Sequence, residues 1–355
     1  MVVVHIANIN PSIIGGVQTA VPKMVEAQSH FAAVGLINTH GDAIDGIQNI
    51  RYDGKVNIED LPEPFNKPDL IVFHELYRFE YIAIYRMLIK QNIPYVIIPH
   101  GCFSKKAQQK KWIKKKVANF LFFNGFVKNA RLIHYLSDNE RNMSEFKTLP
   151  SCVLGNGVSV PRDRINKFAR NSIKFVYIGR LEIRIKGLDL LLGAIKQCES
   201  IMREENAIIE IYGPDYEGAH VALTNMINKF NIADIVHLDK EKTGEEKKRI
   251  LQNATCFVQT SRTEGLPLGP LEALSYGLPC IVTRGVGLGK VIETYGAGYQ
   301  CDNTVRDISK TLEQFLKNIN NIEDMAQSAI CLIKENYDIE IIAKKTLTEY
   351  CNIIN

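Results

Sequence analysis

The sequence has no closely spaced cysteine pair. Its eight cysteines (Cys102, Cys152, Cys198, Cys256, Cys280, Cys301, Cys331 and Cys351) stand far apart, so neither a thiolate-clamped metal nor a redox disulfide is expected. They read as small buried hydrophobes in a reducing compartment. No run of about 18 apolar residues occurs, so no membrane-spanning helix is expected. Met1 leads straight into the apolar run Val2 to Ile6, without the basic start, longer apolar region and small-residue cleavage site of an export signal. The expected location is the cytoplasm. Internal repeats are absent. One segment lacks acids altogether: Ser104 to Val117 holds seven lysines (Lys105, Lys106, Lys110, Lys111, Lys114, Lys115 and Lys116), so the net charge of +4 leaves +4 − 7 = −3 for the rest. A weakly acidic body with one basic segment is not the footprint of a nucleic-acid binder, which spreads positive charge over a face.

What is present fits two domains. A chain of 355 residues exceeds the roughly 250–300 at which single cores stop growing, and its 46% hydrophobic content can fill two. Short apolar runs alternate with helical patterns, the βαβ rhythm of parallel sheets covered on both faces. In the first half strands are predicted at Val2–Ala7, Ala32–Ile37, Leu70–His74, Tyr95–Pro99, Leu132–Ser137 and Cys152–Leu154, with helices at Val17–His30, Phe79–Lys90 and Lys105–Phe126. A polar stretch, Ser159–Ser172, reads as a linker. The rhythm restarts with strands at Lys174–Ile178, Ile208–Tyr212, Val236–Leu238, Cys256–Gln259 and Cys280–Val282, and helices near Leu188–Cys198, Gly244–Gln252 and Leu271–Tyr276. A final helix, Ile339–Cys351, follows Asp338 as N-cap. Two doubly wound units in series are expected to bind ligands at the carboxyl ends of their strands, facing a central cleft.

The most informative stretch is Gln259–Pro279, QTSRTEGLPLGPLEALSYGLP, read as strand, loop, helix and exit. Pro270 suits a first helical position and Gly277 a left-handed C-terminal cap. Glu264 then sits in the loop and Glu272 in the first helical turn, with the amides of Gly265–Gly269 available to an anion. The local alternative stays open, in which Glu272 only stabilises its helix and Glu264 is a solvated loop acid. In FVYIGRLEIRIKGLDLLL, Gly179 ends a strand, Arg180 follows it, and Lys186 precedes a helix. Cations flanking a helix N-terminus suit a diphosphate. His100, in YVIIPHGCF, and His74 each close a strand. Gly15-Gly16 opens a helix without dinucleotide-fingerprint spacing.

These motifs together resemble those of family 4 retaining glycosyltransferases of the GT-B fold, a likeness that spans nearly the whole chain and is strongest over Lys174–Pro279. Glu264 and Glu272 match the family's E-x7-E signature, Arg180 and Lys186 its GR…KG element, and His100 its Pro-His-Gly site. The resemblance implies that Glu264 addresses the donor sugar and Glu272 the ribose, while Arg180 and Lys186 neutralise the departing diphosphate and His100 positions substrate. Gly15, Gly16, Gly179, Gly265, Leu266, Pro267 and Leu268 are implied donor contacts, and His74 an acceptor or sugar contact. Asn156-Gly157 resembles the family's turn into the second domain.

An acceptor-side domain, 1–157, and a nucleotide-sugar-binding domain, 158–335, follow from the likeness, with the last helix, 338–355, returning to the first. No D-x-D triplet occurs, so the usual carboxylate pair for Mg²⁺ or Mn²⁺ is missing. The expectation is metal-independent transfer with no cofactor beyond a UDP- or GDP-linked sugar. The resemblance is to bacterial surface-polysaccharide enzymes and implies a saccharide or lipid-linked saccharide acceptor. Read as a helix, Lys105–Phe126 puts Ile113, Val117, Phe120 and Leu121 on one face, with Lys110, Lys111, Lys114 and Lys115 largely away from it, and Lys105–Lys116 is expected to meet an anionic membrane surface. Two alternatives stay open: an epimerase or phosphorylase on the same scaffold, and a non-catalytic partner subunit.

Overall fold

The computed structural model describes residues 1–13, 15–104, 108, 112–146, 149–162 and 172–354. Lys105, Lys106, Lys110 and Lys111 of the basic segment, and most of the expected linker, lie outside them. The chain divides into two compact units, Met1–Gly157 with Ile339–Asn355, and Val158–Asp338.

The first unit carries seven parallel strands: β1 (Val2–Ala7), β2 (Ala33–Asn38), β3 (Asn49–Ile50), β4 (Leu70–His74), β5 (Tyr95–Ile98), β6 (Leu132–Tyr135) and β7 (Ser151–Val153), in the order β3-β2-β1-β4-β5-β6-β7. The strands β1, β4 and β5 are buried on both faces, which is why they read as unbroken apolar runs. The two-residue β3 is too short for any periodic signal. Order reverses between β1 and β4, where the Gly15-Gly16 helix start follows β1 and His74 is the last residue of β4. The helix Gly16–Ser29 begins after Gly15, whose φ of −167° is extended, so the pair opens the helix as expected. A Cβ on Gly16 would meet nothing within 4 Å.

The C-terminal helix Ile339–Ile354 belongs to this unit and buries Ile342, Ala343, Thr346, Leu347 and Tyr350. Each large apolar side chain so buried contributes about 1.5–3 kcal/mol. Tyr350 donates its hydroxyl to His134 Nδ1 at 2.8 Å, while His134 Nε2 donates to the Leu154 carbonyl at 2.8 Å. A Cβ at Gly157 would lie 2.5 Å from Ile339 Cα, so only glycine lets the chain leave beside the returning helix.

The second unit has six parallel strands, β8 (Ile173–Ile178), β9 (Ala207–Tyr212), β10 (Val236–Asp239), β11 (Cys256–Gln259), β12 (Cys280–Thr283) and β13 (Gly298–Cys301), ordered β10-β9-β8-β11-β12-β13. The last, GYQC, has no β-branched residue and gives no strand signal. Its Gly298 is fixed by crowding, since a Cβ there would lie 2.0 Å from the Cys280 carbonyl oxygen. The order reverses between β8 and β11, which defines where a doubly wound sheet offers its ligand site. All eight cysteines are free thiols; Cys198, Cys256, Cys280 and Cys301 are buried as expected, whereas Cys102, Cys152 and Cys331 are only partly buried and Cys351 is exposed.

Candidate active site

Both motifs of the second unit arise at that reversal. After β8 comes Gly179, whose N–H donates to Tyr212 O at 3.0 Å. A Cβ on the neighbouring Gly213 would lie 1.8 Å from Gly179 O, so the two strand ends can approach only because Gly213 is glycine. Arg180 follows, half-exposed, with Nη2 2.5 Å from Glu182 and its guanidinium 4.8 Å from the Tyr216 ring centre. A short helix, Ile183–Lys186, then delivers Lys186 to the start of the helix Leu188–Gln197. Gly187 between them has φ +66°, and a Cβ there would sit 2.0 Å from Thr260 O. Chain after β8 is thus pressed against chain after β11.

That contact brings Lys186 to Glu264. The ammonium donates to Glu264 Oε1, and Ser261 Oγ donates to the same oxygen at 3.2 Å. Each side chain of the ion pair is 17% exposed, enough for a ligand to reach and little enough for screening to be weak. The helix that carries Glu272 runs Leu268–Ser275 with Pro267 as N-cap. Pro270 is therefore its third residue and Glu272 its fifth, in the second turn, which corrects the first-turn placement. Proline is tolerated there because none of the first helical N–H groups has an intrahelical acceptor. Gly277 takes the expected left-handed cap at φ +78°. Leu268 and Gly269, as first and second residues, point their amides out of the helix start, and Leu266 packs inward.

Glu272 has a partner that motif reading missed: Lys247 Nζ donates to its Oε2. Lys247 comes from the helix Gly244–Asn253, which starts where expected with Glu245 and Glu246 in its first turn. Two carboxylates, each engaged by a lysine, thus flank one helix N-terminus. Such a site offers hydrogen-bond acceptors to hydroxyls and cations to an anion in one place.

In the first unit His100 has φ +48°, and Gly101 has φ +83°. A left-handed histidine costs on the order of 1–3 kcal/mol and needs a tether. Glu140, buried and also unmarked in the sequence, supplies one: Gly101 N–H donates to its Oε1 at 2.5 Å and Leu136 N–H to its Oε2 at 2.7 Å. Burial raises the Glu140 pKa above the ordinary carboxylate range, and the two amides partly offset that rise. His100 Nε2 lies 2.9 Å from His74 Nδ1. His74 itself is fully buried, its other nitrogen 2.9 Å from His5 Nδ1. With no exposed surface, His74 is not placed for the contact read for it and instead lies against His100. Burial depresses the pKa of each ring, His5 to about 4 and His100 to about 3, so all three are neutral at pH 7.

Among the described residues no cluster of three or more His, Cys, Asp or Glu could hold a metal ion, and no helix is long and apolar enough to cross a membrane. Residues 162–330 match the family model described as glycosyl transferases group 1. The second unit is a group 1 glycosyltransferase domain. Over 314 residues the chain is 23% identical to the GDP-mannose:cellobiosyl-diphosphopolyprenol alpha-mannosyltransferase of Xanthomonas oryzae pv. oryzae, covering 86% of this chain and 80% of that one. It is 24% identical over 183 residues to a sucrose synthase of Melioribacter roseus, 46% of this chain but only 23% of that longer protein. Among solved structures, Anabaena Alr3699/HepE in complex with UDP superposes with a TM-score of 0.74 at 14% identity, over 99% of this chain and 100% of that one. The glycosyltransferase domain and its companion unit share the GT-B fold.

Proposed function

We propose that this chain transfers a sugar from a UDP- or GDP-linked donor to a saccharide or lipid-linked saccharide, with retention and without a metal, in surface-polysaccharide synthesis. The observation that carries the reading is the Lys186–Glu264 pair beside an open helix start at the strand-order reversal. Arg180 and Lys186 stabilise charge growing on the diphosphate, Glu264 takes donor-sugar hydroxyls, and Glu272 takes the ribose diol. The acceptor hydroxyl attacks C1 on the face the diphosphate leaves, and its proton passes to the leaving oxygen. His100, neutral, accepts from a substrate hydroxyl. A mannosyltransferase relative named for a diphosphopolyprenol acceptor and a structural neighbour bound to UDP support this chemistry. Incubation with UDP- and GDP-sugars and a polyprenyl-diphosphate saccharide tests it. Acceptor-dependent release of nucleoside diphosphate is expected, whereas an altered donor without acceptor would mean an epimerase.

The two acids divide the donor. Glu272→Ala is expected to weaken binding of the free nucleoside diphosphate by about tenfold, the scale of one lost hydrogen-bonding carboxylate, and Glu264→Ala to leave it nearly unchanged while removing the sugar's contribution. Calorimetric titration with nucleoside diphosphate and with intact donor checks this, and the opposite pattern would reverse the roles.

Membrane contact is the second part of the proposal. In the helix Trp112–Ala118 and the wide turn after it, Asn119–Phe123, the side chains of Trp112, Ile113, Val117, Phe120 and Leu121 are exposed, Phe120 by 80%. All but Ile113 border an open groove of about 820 Å³ that Lys115 and Lys116 also line. Lys115 leans inward, its ammonium 4.7 Å from the centre of the Tyr77 ring, whereas Lys114 and Lys116 stay exposed. Apolar side chains left in water beside lysines suit the headgroup region of an anionic bilayer, at roughly 1 kcal/mol per lysine near the surface. Co-sedimentation with phosphatidylglycerol vesicles is expected to fall with salt and with glutamine at the seven lysine positions. Binding indifferent to both would end this part of the proposal.

A further inference from the structure

The buried polar chain of the first unit continues past His74. Strands β1 and β4 and the turn after β5 set His5, His74 and His100 side by side, with ring centres 5.2 Å apart at each step. At the inner end His5 Nε2 lies 2.9 Å from Gln28 Oε1. A neutral imidazole has one N–H and one bare nitrogen, so a line of three rings must run in a single direction. The Gln28 oxygen can only accept. His5 therefore carries its proton on Nε2 and accepts at Nδ1 from His74 Nε2–H, and His74 Nδ1 accepts from His100 Nε2–H. The lone pair left over is His100 Nδ1, on the one ring of the three that is not fully buried.

Everything turns on which way the Gln28 amide faces. In the structure its oxygen faces His5 and its nitrogen faces away: Gln28 Nε2, Asn156 Oδ1 and Thr346 Oγ1 are all buried without a protein partner, and the three residues line one cavity of about 10 Å³. Buried polar atoms are rarely left so, and a polar cavity of that size holds about one water. A water there accepts from the Gln28 amide, donates to Asn156, and exchanges a hydrogen bond with the Thr346 hydroxyl. That water takes up the N–H that the Gln28 amide turns away from His5.

We propose that Gln28, with one structural water shared with Asn156 and Thr346, is a positioning residue that sets His100 as the Nε2–H tautomer through His5 and His74. Nδ1 of His100 is thereby presented as an acceptor. Its use on a substrate hydroxyl rests on the function proposed above, but the tautomer itself does not. The helix Ile339–Ile354 thus reaches the reactive end through Thr346.

The test is a two-bond proton–nitrogen correlation spectrum of the full chain labelled with ¹⁵N-histidine, at pH 7.5 without substrate. All three histidines are expected to show protonated Nε2 and bare Nδ1. Bare Nε2 on His5 or His100 in the wild type would overturn the proposal without any variant. Gln28→Leu removes the acceptor and is expected to give His100 a mixture of tautomers, with turnover about tenfold lower and nucleoside diphosphate affinity unchanged. Gln28→Glu keeps an accepting oxygen and restores the single tautomer. Thr346→Val, nearly isosteric, is expected to loosen the tautomer by removing a partner of the water. A His100 spectrum unmoved in both Gln28→Leu and Thr346→Val would defeat the relay. A wild type with the expected tautomers but no transfer to any acceptor would leave the relay standing and defeat the proposed function instead.

Discussion

Replacing Lys186 by alanine is expected to lower turnover at saturating donor by about 10²–10³-fold, and Arg180→Ala to do the same, the scale for removing one preorganised stabiliser of developing charge. Both cations lie on the segment between β8 and the helix Leu188–Gln197 but differ in setting. Lys186 is mostly buried against Glu264, so its charge acts with little screening, whereas Arg180 is half-exposed and held by Glu182 and the Tyr216 face. The lysine is therefore expected to carry the larger loss. Removing it also leaves Glu264 without its ammonium, so a donor-binding measurement accompanies turnover. Loss of turnover with donor affinity largely kept is the signature of charge stabilised late in the reaction. Turnover near the wild-type value in both variants would remove the diphosphate site from these residues.

The parts of this site that the sequence exposes are those built from neighbours in the chain. Glu264 and Glu272 lie on one strand–loop–helix segment, and Gly179, Arg180 and Lys186 on another, so their spacing survives in one dimension. Lys247 meets Glu272 across 25 positions of sequence and three elements, and nothing near Gly244 marks it as anything but a solvated helical lysine. The same holds for Glu140 beneath His100, and for His5 and Gln28, which read as interior positions of a strand and a helix. Patterning failed where geometry replaces it: β13 forms from GYQC because its glycine fits against Cys280, not because its residues favour strands. The helix before Glu272 began two residues early because Leu268 and Gly269 can fill its first turn ahead of Pro270.

Lowering the pH is expected to destabilise the chain well before its carboxylates titrate. His134 is wholly buried between Tyr350 and Leu154 and has its pKa depressed by burial to about 4, below the ordinary 6.5. A depressed folded value means that the unfolded chain takes up the proton first. Stability from keeping this ring neutral is therefore complete above pH 6.5, falls by up to about 1.4 kcal/mol per pH unit as the pH drops toward 4, and is flat below that. Its span is about 3 kcal/mol, a large fraction of ordinary domain stability. The relay adds to the slope, because burial holds His5 and His100 at about 4 and about 3, below the ordinary 6.5. Denaturant titrations at pH 7.5, 6, 5 and 4 are expected to show a steady fall in midpoint. His134→Gln, whose amide can donate to Leu154 and accept from Tyr350 without titrating, should flatten the curve by one proton's worth while costing some stability at pH 7.5. An unchanged slope in that variant would mean that His134 takes up its proton in the folded chain as readily as in the unfolded one, and the helix Ile339–Ile354 would then owe nothing to a neutral ring beneath it.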